Sequence, residues 1–125
     1  MKTFIINRDN CKRSPNGYTF KGGKINGNLT IDLDDDLVIT GKLVVEGDMN
    51  SNTGIEAKRS IKVIGDQNIK GFLSVSGNNS VGGFQSVEGV QYIEGNLIVS
   101  KAQIIGGGLL VKGIHEVLGI HDLAA

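Results

Sequence analysis

From Asp36 onward the apolar and polar positions repeat every six residues, and the frame runs to Ala125 without an insertion. The fifteen blocks share an aliphatic fourth position: Ile39, Val45, Val63, Ile69, Val75, Val81, Val87, Ile93, Val99, Ile105, Val111, Val117 and Leu123, with Ser51 and Ala57 as the exceptions. The second position is mostly Leu, Ile or Gln, and the sixth is glycine in eleven blocks. Alternate residues of a strand point the same way, so positions two and four face inward together while three and five face out. Glycine at position six suits a corner, either by adopting a positive φ or by allowing a tight fit. Short strands of β-branched residues joined by tight bends, with no helical period, predict the wall of a solenoid.

Stacked coils place related residues above one another, and that criterion sets the coil length. Taking every third block, the fourth position reads Val45, Val63, Val81, Val99 and Val117, while the second position of another column brings Gln67, Gln85 and Gln103 into register. Three blocks, about 18 residues, therefore make one coil. Five such coils cover 36–125, and a less regular one precedes them at 18–35, where Ile25, Leu29, Ile31 and Leu33 keep the alternation. The predicted fold is all-β: a single-domain, parallel, three-sided β-solenoid (β-helix) of about six coils over 18–125, ~29 Å long at ~4.8 Å per coil. Residues 1–17 are expected to form an N-terminal strand, from Thr3 to Ile6, and a basic cap segment. An antiparallel sandwich also uses repeated turns, but its hairpins do not require an unbroken six-residue frame.

Composition narrows the picture. At 125 residues the chain suits one domain. Nineteen glycines beside one proline fit a chain that turns regularly rather than a disordered linker. Four Phe, two Tyr and no Trp leave the core to Val, Ile and Leu. Cys11 is the only cysteine, so no intrachain disulfide forms and nothing signals an oxidising compartment. No stretch approaches the ~18 apolar residues of a membrane span. Ile5 and Ile6 give way too soon to Arg8 and Asp9 for a secretory leader, so the cytoplasm is the expected compartment.

The formal net charge is zero, which argues against whole-surface attraction to nucleic acid and removes one brake on self-association. Charge is nevertheless banded. Residues 1–17 hold Lys2, Arg8, Lys12 and Arg13 against Asp9, while 18–53 hold Lys21, Lys24 and Lys42 against Asp32, Asp34, Asp35, Asp36, Glu46 and Asp48. A second basic band, with Lys58, Arg59, Lys62 and Lys70, precedes a mildly acidic C-terminal part. Such bands are expected to steer side-by-side or end-to-end association.

The units Ile39-Thr40-Gly41-Lys42-Leu43, Val45-Glu46-Gly47-Asp48-Met49, Ile69-Lys70-Gly71-Phe72-Leu73 and Ile93-Glu94-Gly95-Asn96-Leu97 share one pattern, Val/Ile-x-Gly-x-Leu/Ile/Met. The pattern resembles the bactofilin family of bacterial polymer-forming proteins over about residues 25–125. That resemblance implies a right-handed triangular solenoid that stacks end to end into filaments without a nucleotide. Bactofilin cores are usually flanked by short disordered tails, whereas here the repeat runs to Ala125. Left-handed hexapeptide acyltransferases share the three six-residue sides. Their glycine, alanine or acidic residue directly follows the aliphatic one, however, and they carry a protruding loop with a catalytic His. Here glycine falls two positions later and no such loop is present.

Candidate chemistry is sparse. His115 and His121 stand at inward positions of the last coil, and no Cys lies near them for a metal site. Glu116 and Asp122 are expected to point outward, so the two His residues are read as polar caps on the core end. Gln67, Gln85 and Gln103 are expected to bond amide to amide up their column, because buried amides without partners cost several kcal/mol each. The Gly106–Gly108 run has no following Lys-Ser/Thr and opens no helix, which excludes a P-loop. Asp34, Asp35 and Asp36 are read as a solvated corner rather than a cation site. Cys11 has no evident base partner. No catalytic residue, cofactor or metal is expected.

Outward apolar residues accumulate toward the C-terminus: Phe72, Phe84, Val90, Tyr92, Ile98, Ile104, Leu110, Ile114, Leu118 and Ile120. Contiguous apolar surface and open strand edges both invite another chain. The N-terminal strand is expected to cap one end, and the C-terminal end to lack a cap. These features predict a non-enzymatic, self-associating scaffold of bactofilin-like type, held through solenoid ends or an apolar flank. The alternative is a small phage- or mobile-element-encoded binding protein, a phage structural component or an inhibitor of a host defence protein. It would use the solenoid side to hold a host protein. Arg8, Lys12 and Arg13 are the candidate basic N-terminal contact for an acidic partner, the other reading being a solvated loop.

Overall fold

The computed structural model describes residues 2–15 and 17–123, the last four through their backbone. The strands in chain order are β1 (Thr3–Asn7), β2 (Lys12–Ser14), β3 (Gly17–Phe20), β4 (Gly23–Ile25), β5 (Asn28–Asp32), β6 (Leu37–Ile39) and β7 (Leu43–Val45). Then come β8 (Met49–Ser51), β9 (Ile55–Ala57), β10 (Ile61–Val63), β11 (Gln67–Ile69), β12 (Leu73–Val75), β13 (Asn79–Val81) and β14 (Gln85–Val87). The series ends with β15 (Gln91–Ile93), β16 (Leu97–Val99), β17 (Ala102–Ile105), β18 (Leu109–Val111), β19 (His115–Val117) and β20 (Ile120–Leu123). Among the described residues there is no helix.

The strands stack as three sheets. Sheet A runs β1-β5-β8-β11-β14-β17-β20, sheet B runs β2-β3-β6-β9-β12-β15-β18, and sheet C runs β4-β7-β10-β13-β16-β19. The chain visits B, C and A in turn, so each set of three strands is one coil of a three-sided β-solenoid, six coils in all. From β6 onward the rungs are about 18 residues apart, as in Gln67 beside Gln85 and Val63 beside Val81. The first coil is longer: Tyr18 lies beside Leu37 and Gly23 beside Leu43. The N-terminal segment adds two strands to the stack. β1 adds a parallel rung to sheet A beneath β5, and β2 lies antiparallel on β3.

Burial follows the alternation. In nearly every strand from β6 to β17 the outer two residues of the inward pair are buried and the one between them is not. The valine column Val45, Val63, Val81 and Val99 is at most 1 % exposed. Each such side chain contributes about 1.5–3 kcal/mol of burial.

The corners realise the second of the two roles expected for their glycines, the tight fit. Positive φ is confined to Gly17, Gly22 and Gly23, all in the irregular first coil, so the repeated position-six glycines are needed for space. At the C–A corner Asn28 Oδ1 accepts the Asp48 N–H, Asp48 Oδ1 that of Asp66, and Asp66 Oδ1 that of Phe84, at 2.9, 2.9 and 2.8 Å. At the B–C corner Ser60 Oγ, Asn78 Oδ1 and Asn96 Oδ1 accept the N–H groups of Asn78, Asn96 and Ile114 at 3.0, 2.9 and 2.8 Å. The side chain that makes this rung sits where the next coil would place a Cβ. A Cβ on Gly83 would run into Asp66 Oδ1 and lie 3.0 Å from the Gly65 oxygen. One on Gly95 would run into Asn78 Oδ1. Gly83→Ala is therefore expected to lower stability by about 1–3 kcal/mol through overpacking. The loss shrinks in an Asp66→Ala background, where the colliding oxygen is gone, and thermal unfolding of the four proteins in that cycle measures the coupling.

Candidate interaction surface and the buried amide network

The interior is not wholly apolar. Gln67, Asn79, Gln85, Gln91 and Gln103 are each at most 1 % exposed, and their amides form one continuous network. Gln85 Nε2 donates to Gln67 Oε1 at 2.8 Å, and Gln103 Nε2 donates to Gln85 Oε1 at 2.6 Å, along sheet A. Two further amides reach across from the other faces. Asn79 of sheet C and Gln67 exchange bonds of 3.0 and 3.1 Å, and Gln91 of sheet B and Gln85 exchange bonds of 2.9 and 3.2 Å. His115 Nε2 lies 2.8 Å from Gln103 Oε1, which can only accept, so this nitrogen carries the proton. The lower end finishes at Met49, whose sulfur lies 3.8 Å from Gln67 Nε2. No buried side-chain polar atom among the described residues lacks a partner. The His121 side chain lies outside the described residues.

The sequence pairs Gln67, Gln85 and Gln103 by register alone. Asn79 and Gln91 are missed as members because they stand in other columns. Their one signal is a polar residue at an inward position.

The chemistry-bearing groups near the N-terminus are engaged with one another. Tyr18, 2 % exposed, donates its hydroxyl to Asp34 Oδ1 at 2.5 Å and accepts from Arg13 Nη1 at 2.9 Å. Arg13 also lies over the Tyr18 ring, 5.1 Å from its centre. The Tyr18 hydrogen bond, aided by Arg13, holds the Asp34 carboxyl below its ordinary range, and the same bond raises the Tyr18 phenol. Asp35 Oδ1 accepts the Asp36 N–H, and Asp36 Oδ1 accepts from Thr53 Oγ1. Arg8 lines an open cleft with Asp9, Asp32, Asp34 and Asn52. Of the expected basic contact, then, Arg13 faces its own acidic corner, Arg8 shares a cleft with carboxylates, and Lys12 is exposed. The Cys11 thiol donates to the Thr19 carbonyl at 3.2 Å, and burial pushes its pKa up.

The outward apolar residues encircle the rod rather than line one flank. Ile104 stands on sheet A, Tyr92 and Leu110 are neighbours on sheet B, and Ile98 is on sheet C. Phe72 occupies the A–B corner with its ring against Gly54, Phe84 the C–A corner, and Ile114 the B–C corner. Two aromatics are partly covered: Lys101 lies 5.6 Å over Phe84 and Lys112 lies 5.8 Å over Tyr92. Exposure is greatest in the last coil, with Leu110 at 55 %, Ile114 at 64 % and Leu118 at 66 %. In that coil the inward Leu109, Val111 and Val117 are only half-buried. The Ile120 side chain lies outside the described residues. The sequence reading passed over Ile64, half-exposed beside the C–A corner, although it holds the same block position as Leu118.

Compared with family models, curated proteins and solved structures, the chain shows no match. No helix among the described residues is long and apolar enough to cross a membrane.

Two predictions follow from the buried groups. Gln85 makes four amide hydrogen bonds, so Gln85→Leu is expected to cost about 3 kcal/mol or more by stranding buried partners. Adding Gln91→Leu to that variant costs less than Gln91→Leu alone, because the two amides satisfy each other, and urea unfolding reads both values. The second concerns acid. Because the folded pKa of Asp34 is lowered, its contribution is present above the ordinary carboxylate range and lost as pH falls through the folded value. Tyr18→Phe is thus less stable than the parent near neutrality, and the gap narrows in acid. Urea midpoints measured across the acidic range show this convergence, and a constant gap contradicts it.

Proposed function

We propose that this chain is a non-enzymatic, self-associating scaffold of bactofilin-like type, whose contacts run through its C-terminal coils. One observation carries the reading: the last coil is apolar on both sides of its wall. Leu110, Ile114 and Leu118 project from three different parts of its perimeter, each more than half exposed, above an inward set that is itself only half-buried. An apolar ring of this kind suits end-on contact, in which a second copy covers the core end and the surrounding collar together. The unpaired edges of a parallel sheet supply matching hydrogen-bonding groups for the same contact. The β-solenoid is the architecture that bactofilin-like assembly requires. The interior groups are bonded to one another, which suits a rigid building unit.

Sedimentation velocity over rising concentration is expected to show species larger than one chain, and negative-stain microscopy to show rods longer than one. Ile114→Gln combined with Leu118→Gln leaves the core intact and weakens association about tenfold or more, given ~1.5–3 kcal/mol for burying each aliphatic side chain. A parent protein that stays a strict monomer at high concentration, or assemblies indifferent to the double substitution, would remove this reading.

A further inference from the structure

The charge bands of the sequence are sorted by the fold onto separate corners. The turns between sheets B and C in the first three coils carry Lys21, then Lys42, then Lys58 and Arg59. Of these, Lys58 is paired with Glu56 at 3.1 Å, and the others hold no ion pair among the described residues. The turn between sheets A and B in the first coil carries Asp32, Asp34, Asp35 and Asp36, facing Arg13 at 4.0 Å from Asp34. Asp32, Asp34 and Asp35 are exposed. At the third corner Asp48 and Asp66 are half-buried, with an oxygen of each already committed to the next coil. One edge of the prism is thus basic, and a different edge presents exposed carboxylates, one of them paired with Arg13, at the same end of the rod.

We propose that the basic B–C corner of the first three coils docks against the acidic A–B corner of a second copy, side by side. The complement is present on every copy, and the chain as a whole is neutral, so the pairing leaves no net charge uncompensated. A sideways shift without displacement along the axis brings the two corners together, because both begin in the first coil. An extended polyanion is a poorer occupant, since Glu56 lies beside the basic ridge, in an ion pair with Lys58 at 3.1 Å. The contact is heterologous: each copy offers both halves, so it propagates into a row unless geometry closes it. It is lateral, and stands independently of the end contact proposed above.

The test uses the Ile114→Gln/Leu118→Gln protein, in which the end contact is silenced, so that failure of one contact is read apart from failure of the other. In sedimentation velocity this protein is expected to associate at about 10 mM salt, where the Debye length is ~30 Å, and to dissociate at about 1 M, where it is ~3 Å. Adding Lys42→Glu with Arg59→Glu weakens the low-salt association about tenfold or more, and so does adding Asp32→Lys with Asp35→Lys. Mixing the two reversed proteins restores it. Zero-length cross-linking of labelled with unlabelled protein at low salt checks the register without these variants, joining Lys42 of one copy to the Asp32–Asp36 segment of another. The proposal is overturned by a low-salt monomer, by association indifferent to the reversals, by failure of the mixture to recover, or by cross-links that join other segments.

Discussion

Strict parallel register is the constraint on which the rest of this molecule depends. Each coil lies directly on the last, so every side chain meets the residue at its own position one rung away, and like residues stack well only where they are self-complementary. Valine over valine satisfies this by shape, as in Val45, Val63, Val81 and Val99. Glutamine over glutamine satisfies it because an amide both donates and accepts, as in Gln67, Gln85 and Gln103. Carboxylate over carboxylate is unfavourable side by side, and the corner of Asp48 and Asp66 avoids it by turning each carboxylate onto the next backbone N–H.

The same constraint explains where charge sits. On the outer surface of sheet C the column reads Lys24, Val44, Lys62, Ser80, Ile98 and Glu116, with no two like charges on adjacent rungs. Exposed Asn50 and Asn68 on sheet A bond amide to amide at 3.1 Å, an outer version of the buried ladder. The B–C basic residues are staggered across neighbouring turn positions rather than stacked. Like charges are thereby kept off adjacent rungs of the face, and the cations of the B–C corner are spread along the axis.

Much of this was legible in the sequence, and the reason is the constraint itself. A register that repeats on every coil writes its period into the chain, so the aliphatic fourth position and the coil length could be read from Asp36 onward. What was not legible arises between columns or where the period fails. Asn79 and Gln91 join the amide network through the reach of side chains across the interior, which no one-dimensional frame displays. The position-six glycines were assigned a corner, but what demands them is the coil below: a side-chain oxygen under Gly65, Gly83 and Gly95, and backbone under Gly71 and Gly89. The first coil carries extra residues, with Gly22 and Gly23 at positive φ, and there the block arithmetic loses its footing. The C-terminal apolar residues were visible as a series. Their placement on three faces, a ring rather than a flank, required the path of the chain.

That ring and the corner charges place different demands on assembly. The proposed contacts along the axis would continue the register that holds each molecule together, so they would draw on apolar burial and strand edges and be little affected by salt. The proposed contacts between rods would join exposed charged corners and weaken as salt screens them. The two directions are therefore separable by ionic strength and by substitution. The interior plays its part by being closed. An amide network that runs from Met49 to His115 with its polar atoms satisfied is costly to open. It gives the rod the fixed cross-section that the proposed pairing of corner charges between copies would need.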